Sequence, residues 1–286
     1  MLTILFDGFA YGMLLFVLAC GLSITLGLMN FINLAHGAFA MAGGYLTVVL
    51  MNRYGVSFFL CLPAGFIATA FLGAILERTL YVHLYGKSHL DQVLFSIGLV
   101  FMAMSAIDYF MGAQQQLITL PDSLRGRIDL FGISIGVYRL FVIGICLLLA
   151  VALQLVLSKT RFGSQLRAAV DDPRVAQGLG INVNLIFSLT FAFGSGLAGL
   201  GGVLGAEILG LDPGFPVKFM IYFLVVISVG GTTTLTGPFL ASILLGIADV
   251  AGKYYMPKIG SFIIYTIMVL VLIWRPQGLF GRATAR

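Results

Sequence analysis

The strongest constraint on this chain is a succession of long, uninterrupted apolar runs that contain almost no charged residues. The first run extends from Ile4 to Met29 and carries one charge, Asp7. A helix needs about 20 apolar residues to cross a hydrocarbon core, and only helices or closed barrels satisfy their backbone hydrogen bonds in lipid. Because the apolar residues are continuous rather than alternating, these runs predict membrane-spanning helices and exclude barrel strands.

The composition supports the same prediction. Of the 286 residues, 60% are hydrophobic and only 9% are charged, which is too few charges to solvate a globular surface. We therefore predict an all-α, polytopic membrane protein that forms one domain over residues 1–286. The net charge of +5 is explained by basic residues on the cytoplasmic side of a membrane. Membrane lipid is an expected partner, and nucleic acid is not.

Nine spans are predicted, some of them short or broken. They cover residues 4–29, 37–51, 56–76, 92–111, 138–157, 185–206, 217–230, 237–251 and 259–274. An odd number of spans places the two ends of the chain on opposite sides. If residues 159–182 are cytoplasmic, the 16 Lys and Arg residues divide into nine inside and seven outside, a small positive-inside bias. The N-terminus is then expected outside and the C-terminus in the cytoplasm.

The segment from Lys159 to Asn182 is the longest polar interruption in the C-terminal half. Within it, Leu166, Ala169 and Val170 recur at helical spacing and predict a short helix with one apolar stripe. A short, charged helix with an apolar stripe, held between two spans, favours contact with another protein. The alternative is an ordinary solvated loop.

A second short helix is predicted in the same segment. Asp172 followed by Pro173 is typical of a helix start, because the carboxylate caps free N–H groups and proline suits the first helical position. Gly178 and Gly180 are typical of a helix end.

Two further polar segments, Asn30–Gly37 and Gly230–Pro238, fall where the chain is otherwise apolar. Polar backbone at membrane depth is tolerated only against protein or a water-filled cavity. We interpret both segments as broken helices at comparable places in the two halves, which approach each other and line or gate a translocation route. The candidate pathway residues are Asn30, Asn33, His36, Gly37, Gly230, Gly231 and Gly237.

Simpler roles for these residues remain open at this point. His36 can be a hydrogen-bonded interior residue, and Asn30 and Asn33 can cap a broken helix. Asp249 and Lys253, four residues apart, fit a helix-stabilising pair near an outer surface. The small residues between Gly194 and Gly205 have the spacing for close helix packing in lipid.

Five short motifs occur in a fixed order over nearly the whole chain. They are Asn33-Leu34-Ala35-His36-Gly37, Glu77-Arg78 with Tyr81, the loop residues Arg161, Gly163, Arg167-Ala168, Asp171, Ala176 and Gly180-Ile181-Asn182, the Gly230-Gly231 turn leading to Gly237, and the ending Arg275-Pro276-Gln277-Gly278-Leu279-Phe280-Gly281. Together these motifs resemble the LivH-type permease subunits of the branched-chain and hydrophilic amino-acid ABC importers.

The resemblance implies a permease subunit that works with a second similar permease, two cytoplasmic ATPases and an external solute-binding protein in a bacterial inner membrane. The chain contains no GxxxxGK[ST] P-loop, so we expect no cofactor and no enzymatic activity in this chain, with ATP and Mg²⁺ bound by the ATPases. The loop at 159–182 would be the coupling helix seated on an ATPase. Its candidate coupling residues are Arg161, Gly163, Arg167, Ala168, Asp171, Asp172 and Gly180.

The solute is less constrained than the family. Val82-His83-Leu84, Asp108 and Tyr222 depart from the family pattern, which leaves open a branched-chain amino acid or a related small polar solute such as another amino acid, an amide or urea. A secondary transporter or channel built from inverted repeats is the alternative class, because it uses similar broken helices. No buried acidic pair that would bind protons or sodium is evident in the sequence.

The charge distribution makes a topological prediction. In intact cells, single cysteines replacing Ser164 and Thr284 should resist a membrane-impermeant thiol reagent, whereas a cysteine replacing Ser123 should react. The measurement is labelling of each variant before and after the cells are opened. Labelling at Ser164 from outside would reverse the predicted orientation.

Overall fold

The computed structural model describes residues 1–29, 31–130, 133–231 and 234–280. Its helices are α1 (Leu2–Met29), α2 (His36–Tyr54), α3 (Phe58–Thr79), α4 (His89–Met111), α5 (Val137–Lys159), α6 (Arg161–Asp171), α7 (Pro173–Gly178), α8 (Val183–Leu209), α9 (Phe215–Gly230), α10 (Thr236–Tyr255) and α11 (Gly260–Trp274). A 3-10 turn covers Tyr81–Leu84, and the strands are β1 (Arg127–Leu130) and β2 (Ile133–Gly136). The predicted all-α, polytopic fold is confirmed.

Each of the nine predicted spans coincides with one helix. Five of them, α1, α3, α4, α5 and α8, are long and apolar enough to cross a membrane, and α9 and α11 are apolar but shorter, at 16 and 15 residues. At 1.5 Å per residue, α9 extends about 24 Å, less than the roughly 30 Å of a hydrocarbon core. The number of complete crossings stays a prediction.

Helices α1 and α8 form the centre of the molecule. In their apolar parts, 83% of the residues of α1 and 67% of those of α8 are buried, against 11% in α4 and 17% in α5. Large apolar side chains of α4 and α5, including Phe101, Tyr109 and Leu148, are exposed. The outer helices therefore present the surface that lipid would cover.

The helix packing repeats between the two halves of the chain. Helix α3 packs most extensively on α8, and α1 packs most extensively on α10. If α1–α4 is matched with α8–α11, the third helix of each set packs on the first helix of the other set. Because α1 and α8 run in opposite directions, the two sets have the relationship of an inverted repeat.

Glycines on α8 allow three helices to approach it. A Cβ atom on Gly194 would lie 3.2 Å from the carbonyl oxygen of Gly21 in α1. Added at Gly199 it would meet the Thr69 side chain of α3, and at Gly202 the backbone carbonyl of Ala40 in α2. The close packing predicted from the small residues of this helix is confirmed.

The loop before α5 contains an antiparallel hairpin in which Arg127 lies opposite Gly136. Phe131 and Gly132, between the two strands in the sequence, lie outside the described residues, as do Asn30, Thr232, Thr233 and the last residue of the C-terminal motif, Gly281.

The packing of α8 makes a prediction about stability. Gly202→Ala should lower the apparent melting temperature of the purified protein in detergent, because the added methyl group meets the backbone of Ala40 and overpacking costs about 1–3 kcal/mol. Gly98→Ala on α4 is the matched control, since a Cβ there meets no atom within 4 Å. Equal melting temperatures for the two variants would contradict the assigned packing.

Candidate translocation pathway and coupling surface

Helix α2 starts inside the molecule rather than at its surface. The Nε2 atom of His36, its first residue, lies 2.9 Å from the carbonyl oxygen of Leu18 in the middle of α1. Helix α1 continues beyond Leu18 to Met29, about 16 Å further along its axis. Residues 31–35 must therefore return alongside α1 before α2 begins.

The first turn of α9 lies against the first turn of α2. A Cβ atom on Gly37 would lie 2.9 Å from the carbonyl oxygen of Pro216 and 3.0 Å from its Cα. The His36 ring also meets Phe223 of α9 edge-on, with 6.1 Å between ring centroids. The first turns of α2 and α9 thus meet in the interior, and Gly37 permits their close approach.

The Gln92 and Asn33 side chains satisfy polar backbone groups of residues 31–35. The Ile32 N–H donates to Oε1 of Gln92 at 3.2 Å, and the Ala35 N–H donates to Oδ1 of Asn33 at 3.1 Å. The Tyr81 hydroxyl donates to the same Asn33 oxygen at 3.0 Å. Without these partners, polar groups at this depth would each cost several kcal/mol.

The interior role that the sequence left open for His36 is the one observed, whereas Asn33 does not cap α2, whose N-cap is Ala35 and has no side-chain hydrogen bond. His36 is 2% exposed and Asn33 is 1% exposed, and both are hydrogen-bonded within the chain. In this conformation they close the space between α1, α2 and α9 rather than line an open passage.

The glycines of the second polar segment pack within that segment and not on the first polar segment. A Cβ atom on Gly230 would lie 2.6 Å from the carbonyl carbon of Gly237, so these two glycines let the ends of α9 and α10 approach each other. Gly231 has a φ of 87°, in the left-handed region that favours glycine. The close approach of Gly37 is instead to the start of α9.

The C-terminal segment covers this turn. The Leu279 N–H donates to the carbonyl oxygen of Val229 at 2.7 Å, and a Cβ atom on Gly278 would lie 2.6 Å from the Gly231 nitrogen. In the repeat, α8 and α9 correspond to α1 and α2. The counterpart of residues 31–35 is therefore the segment 210–214, which joins α8 to α9, and not the turn at 230–237.

The predicted coupling loop forms two capped helices. Thr160 Oγ1 accepts from the Gly163 N–H at 3.3 Å at the start of α6. At the start of α7, Asp172 Oδ1 accepts from the N–H groups of Arg174 and Val175 at 2.9 and 3.0 Å, as expected of a helix cap. Gly180 follows α7 with a φ of 84°, which matches the helix end predicted there.

The apolar face of the loop packs on the start of α8. Leu166, Ala169 and Ala176 are buried in one cluster with Val183 and Ile186. The predicted stripe is thus present, and the segment is a packed structure rather than an ordinary solvated loop.

Several predicted coupling residues have roles within the loop itself. A Cβ atom on Gly163 would overlap the Leu157 carbonyl group, and the Arg167 guanidinium donates to the same carbonyl at the end of α5. Ala168 is half-buried, and its carbonyl oxygen accepts from the Asp172 N–H at 3.2 Å.

Other residues of the loop form its outer surface. Arg161, Asp171 and Arg174 are exposed. The apolar side chains of Val175 and Leu179 are 58% and 76% exposed, which is the composition expected of a surface that binds a protein.

The opposite end of the molecule carries an open cleft of about 930 Å³ between α1, α4, α9, α10 and α11. Three acid–base pairs lie in or beside it. They are Asp7 with Arg139, Asp212 with Lys218 at 2.5 Å, and Asp249 with Lys253 at 2.6 Å. The predicted Asp249–Lys253 pair is formed, but Asp249 is 1% exposed and is therefore not a surface residue.

Comparison with known proteins identifies the family of this chain. Residues 4–272 match the model of the branched-chain amino acid transport system / permease component family. The chain belongs to this family. No solved structure matches it.

Individual relatives cover the permease almost completely. It is 27% identical to the high-affinity branched-chain amino acid transport system permease protein BraD of Pseudomonas aeruginosa, over 97% of this chain and 95% of BraD. It is 26% identical to LivH of Escherichia coli, over 97% and 94%. A probable LivH of Methanocaldococcus jannaschii is 28% identical over 95% and 90%.

A buried carboxylate at the end of the permease that carries α6 and α7 was not predicted from the sequence. Glu77 is 2% exposed and accepts hydrogen bonds from the hydroxyls of Ser188 on α8 and Tyr85. Burial raises the pKa of Tyr85 well above its usual value, and the hydrogen bond to Glu77 raises it further. The Glu77-Arg78 motif marked this position, but nothing local in the sequence identified Ser188 as its partner.

The polar segment makes a prediction about transport. Asn33→Ala should reduce solute uptake by vesicles that contain the assembled transporter, because two buried hydrogen-bond donors lose their acceptor at a cost of about 1–3 kcal/mol each. Asn52→Ala is the matched control, since Asn52 is exposed and its hydrogen bond is 3.4 Å long. Equal uptake by both variants would contradict a role for residues 31–35.

Proposed function

We propose that the permease is the translocation subunit of an ATP-driven importer for branched-chain amino acids or a related small polar solute. The observation that carries this proposal is the packed, capped loop α6–α7 at the end opposite the open cleft. A loop built in this way provides a rigid surface for another protein, and the chain itself has no nucleotide-binding P-loop. The names of the BraD and LivH relatives support branched-chain amino acids as the solute.

The expected partners follow from the same proposal. LivM of Salmonella typhimurium is also similar, at 26% identity over 93% of this chain, and the same organism has a LivH relative. This supports a second, homologous permease beside the present chain. Two cytoplasmic ATPases would bind ATP and Mg²⁺, and an external solute-binding protein would deliver the solute to the cleft.

The orientation is part of the proposal. The loop α6–α7 would face the cytoplasm of a bacterial inner membrane together with the C-terminal segment, and the N-terminus and the cleft would face outside. A crevice of about 250 Å³ lies between Leu166, Arg167 and the residues 234–236 at the start of α10. The loop itself packs on Val183 and Ile186 of α8, so its movement on an ATPase would reach α8.

The pathway is proposed to pass where the first turns of α2 and α9 meet. Gly37 and Pro216 hold the two helices together in this conformation, and Asn33 and His36 are buried beside them. Separation of α2 from α9 would open a route between the cleft and the end of the molecule that carries α6 and α7.

A secondary transporter or channel is the second candidate. The inverted arrangement of α1–α4 and α8–α11 favours it, because such repeats are common in ion-driven transporters. Two buried carboxylates, Glu77 and Asp249, are also present. They lie at opposite ends of the molecule and do not form the shared acidic site that a proton or sodium cycle would require.

The coupling loop provides the test of the proposal. Asp171→Arg should abolish ATP hydrolysis stimulated by the binding protein and solute, because it reverses an exposed charge on the surface proposed to bind the ATPase. We choose Asp171 rather than Arg167 because the Arg167 guanidinium also donates to the Leu157 carbonyl at the end of α5, so that Arg167→Glu would disturb the loop itself. Asp122→Arg makes the same charge change at an exposed site on the opposite end and should leave hydrolysis unchanged.

Both variants should be purified as assembled complexes before hydrolysis is measured. Loss of assembly in Asp171→Arg would itself place Asp171 at the ATPase contact. Assembly with unchanged stimulated hydrolysis and unchanged uptake would contradict the proposed coupling surface.

A further inference from the structure

The floor of the open cleft contains a buried carboxylate oxygen that lacks a partner. Asp249 on α10 is 1% exposed, and its Oδ2 lies 2.6 Å from the Lys253 ammonium nitrogen. Its Oδ1 accepts no hydrogen bond from the residues that the structure describes. A buried charged group with an unsatisfied oxygen is strongly unfavourable unless another donor reaches it. A purely structural ion pair gives no reason to leave this oxygen free.

Aromatic rings surround the pair on the cleft side. The Lys253 nitrogen lies 5.9 Å from the centroid of the Tyr11 ring and 6.0 Å from that of Tyr222. Tyr265 lies beside Tyr222, with 6.3 Å between ring centroids, and all three tyrosines line the cleft. Tyrosine faces attract cations, so these rings favour an ammonium group in the same space.

The other charged groups near the cleft are already paired. Arg139 contacts Asp7, and Lys218 contacts Asp212. The cleft is therefore close to neutral overall, and the buried Oδ1 of Asp249, which has no hydrogen-bond partner among the described residues, lies next to the half-exposed ammonium of Lys253. The remaining wall is mostly apolar and includes Ile221 and Val250.

We propose that this cleft binds the zwitterionic head of an α-amino acid, with the ammonium group on Asp249 Oδ1 and the carboxylate on Lys253. The inference rests on the proposed transport function and names the substrate class that the permease itself recognises. A neutral amide or urea would satisfy Oδ1 but would present no negative group to Lys253. A zwitterion with an aliphatic side chain satisfies Asp249, Lys253 and the apolar wall together.

Protection of an introduced cysteine tests this site directly. Ile221 is 42% exposed on the cleft wall, whereas Cys20, Cys61 and Cys146 are buried. The Ile221→Cys variant is assembled with its partner permease and ATPases in lipid nanodiscs, without the binding protein, and treated with a maleimide. Ser123→Cys, at an exposed position outside the cleft, reports any general effect of the added solute.

Leucine should slow labelling of Ile221→Cys and leave labelling of Ser123→Cys unchanged. The keto acid of leucine, 4-methyl-2-oxopentanoate, in which a keto oxygen replaces the ammonium group, should protect poorly, and so should leucinamide, in which an amide replaces the carboxylate. Asp249→Asn should raise the leucine concentration needed for half-protection about tenfold or more, as expected when a charged hydrogen bond is lost. Asp122→Asn, the same change in an exposed ion pair, should have no effect.

Uptake of leucine by the wild-type complex with its binding protein distinguishes failure of the assigned binding site from failure of the proposed transport function. Leucine uptake without protection of Ile221→Cys, or equal protection by leucine and the keto acid, would overturn the assigned site and leave the transport function standing. Absence of leucine uptake, with the complex assembled and hydrolysing ATP, would count against the proposed branched-chain substrate. The keto acid comparison uses unaltered Asp249, so it remains decisive even if Asp249→Asn fails to assemble.

Discussion

The structure depends on the requirement that every backbone polar group at membrane depth has a partner. The chain meets it with long helices nearly everywhere and departs from helix before α2 and before α9. At the first departure, the Gln92 and Asn33 side chains accept from backbone N–H groups that have no helical partner, and the Tyr81 hydroxyl donates to the Asn33 side chain. At the second, the Asp212 carboxylate accepts from the Gly214 N–H at 2.8 Å. Irregular backbone at these two places is what brings the starts of α2 and α9 together in the interior.

Helix α8 extends from the loop α6–α7 at one end of the molecule to the open cleft at the other. Its first turns pack on the coupling loop through Val183 and Ile186, its middle is crossed closely by α1, α2 and α3 at glycines, and its end reaches the cleft at Ile208. The hydrogen bond between Ser188 and Glu77 joins α8 to α3 near the coupling end. Since close-packed helices transmit displacement rather than absorb it, a shift of the loop on an ATPase would be felt at the meeting point of α2 and α9.

Features that depend on neighbouring residues were predictable from the sequence, and features that depend on distant residues were not. Apolar run length gave the nine helices, and Asp172-Pro173 gave the start of α7, because hydropathy and capping are local. The segment 210–214 contains an Asp-Pro-Gly sequence that is typical of turns, so nothing local in it indicates a place in the interior. The contact of Pro216 with Gly37 arises from tertiary packing, as do the partnerships of Gln92 with Ile32 and of Ser188 with Glu77. The free oxygen of Asp249 likewise has no sequence signature.

We propose that ATP hydrolysis by a partner subunit moves the loop α6–α7 and thereby opens the pathway. The most direct measurement is uptake into sealed vesicles that contain the assembled complex, with the binding protein outside and either ATP or a non-hydrolysable analogue enclosed. Ionophores that collapse proton and sodium gradients are added in parallel. The account predicts uptake that requires enclosed, hydrolysable ATP and persists with ionophores. Uptake by this chain alone, driven by an ion gradient and independent of ATP, would contradict it.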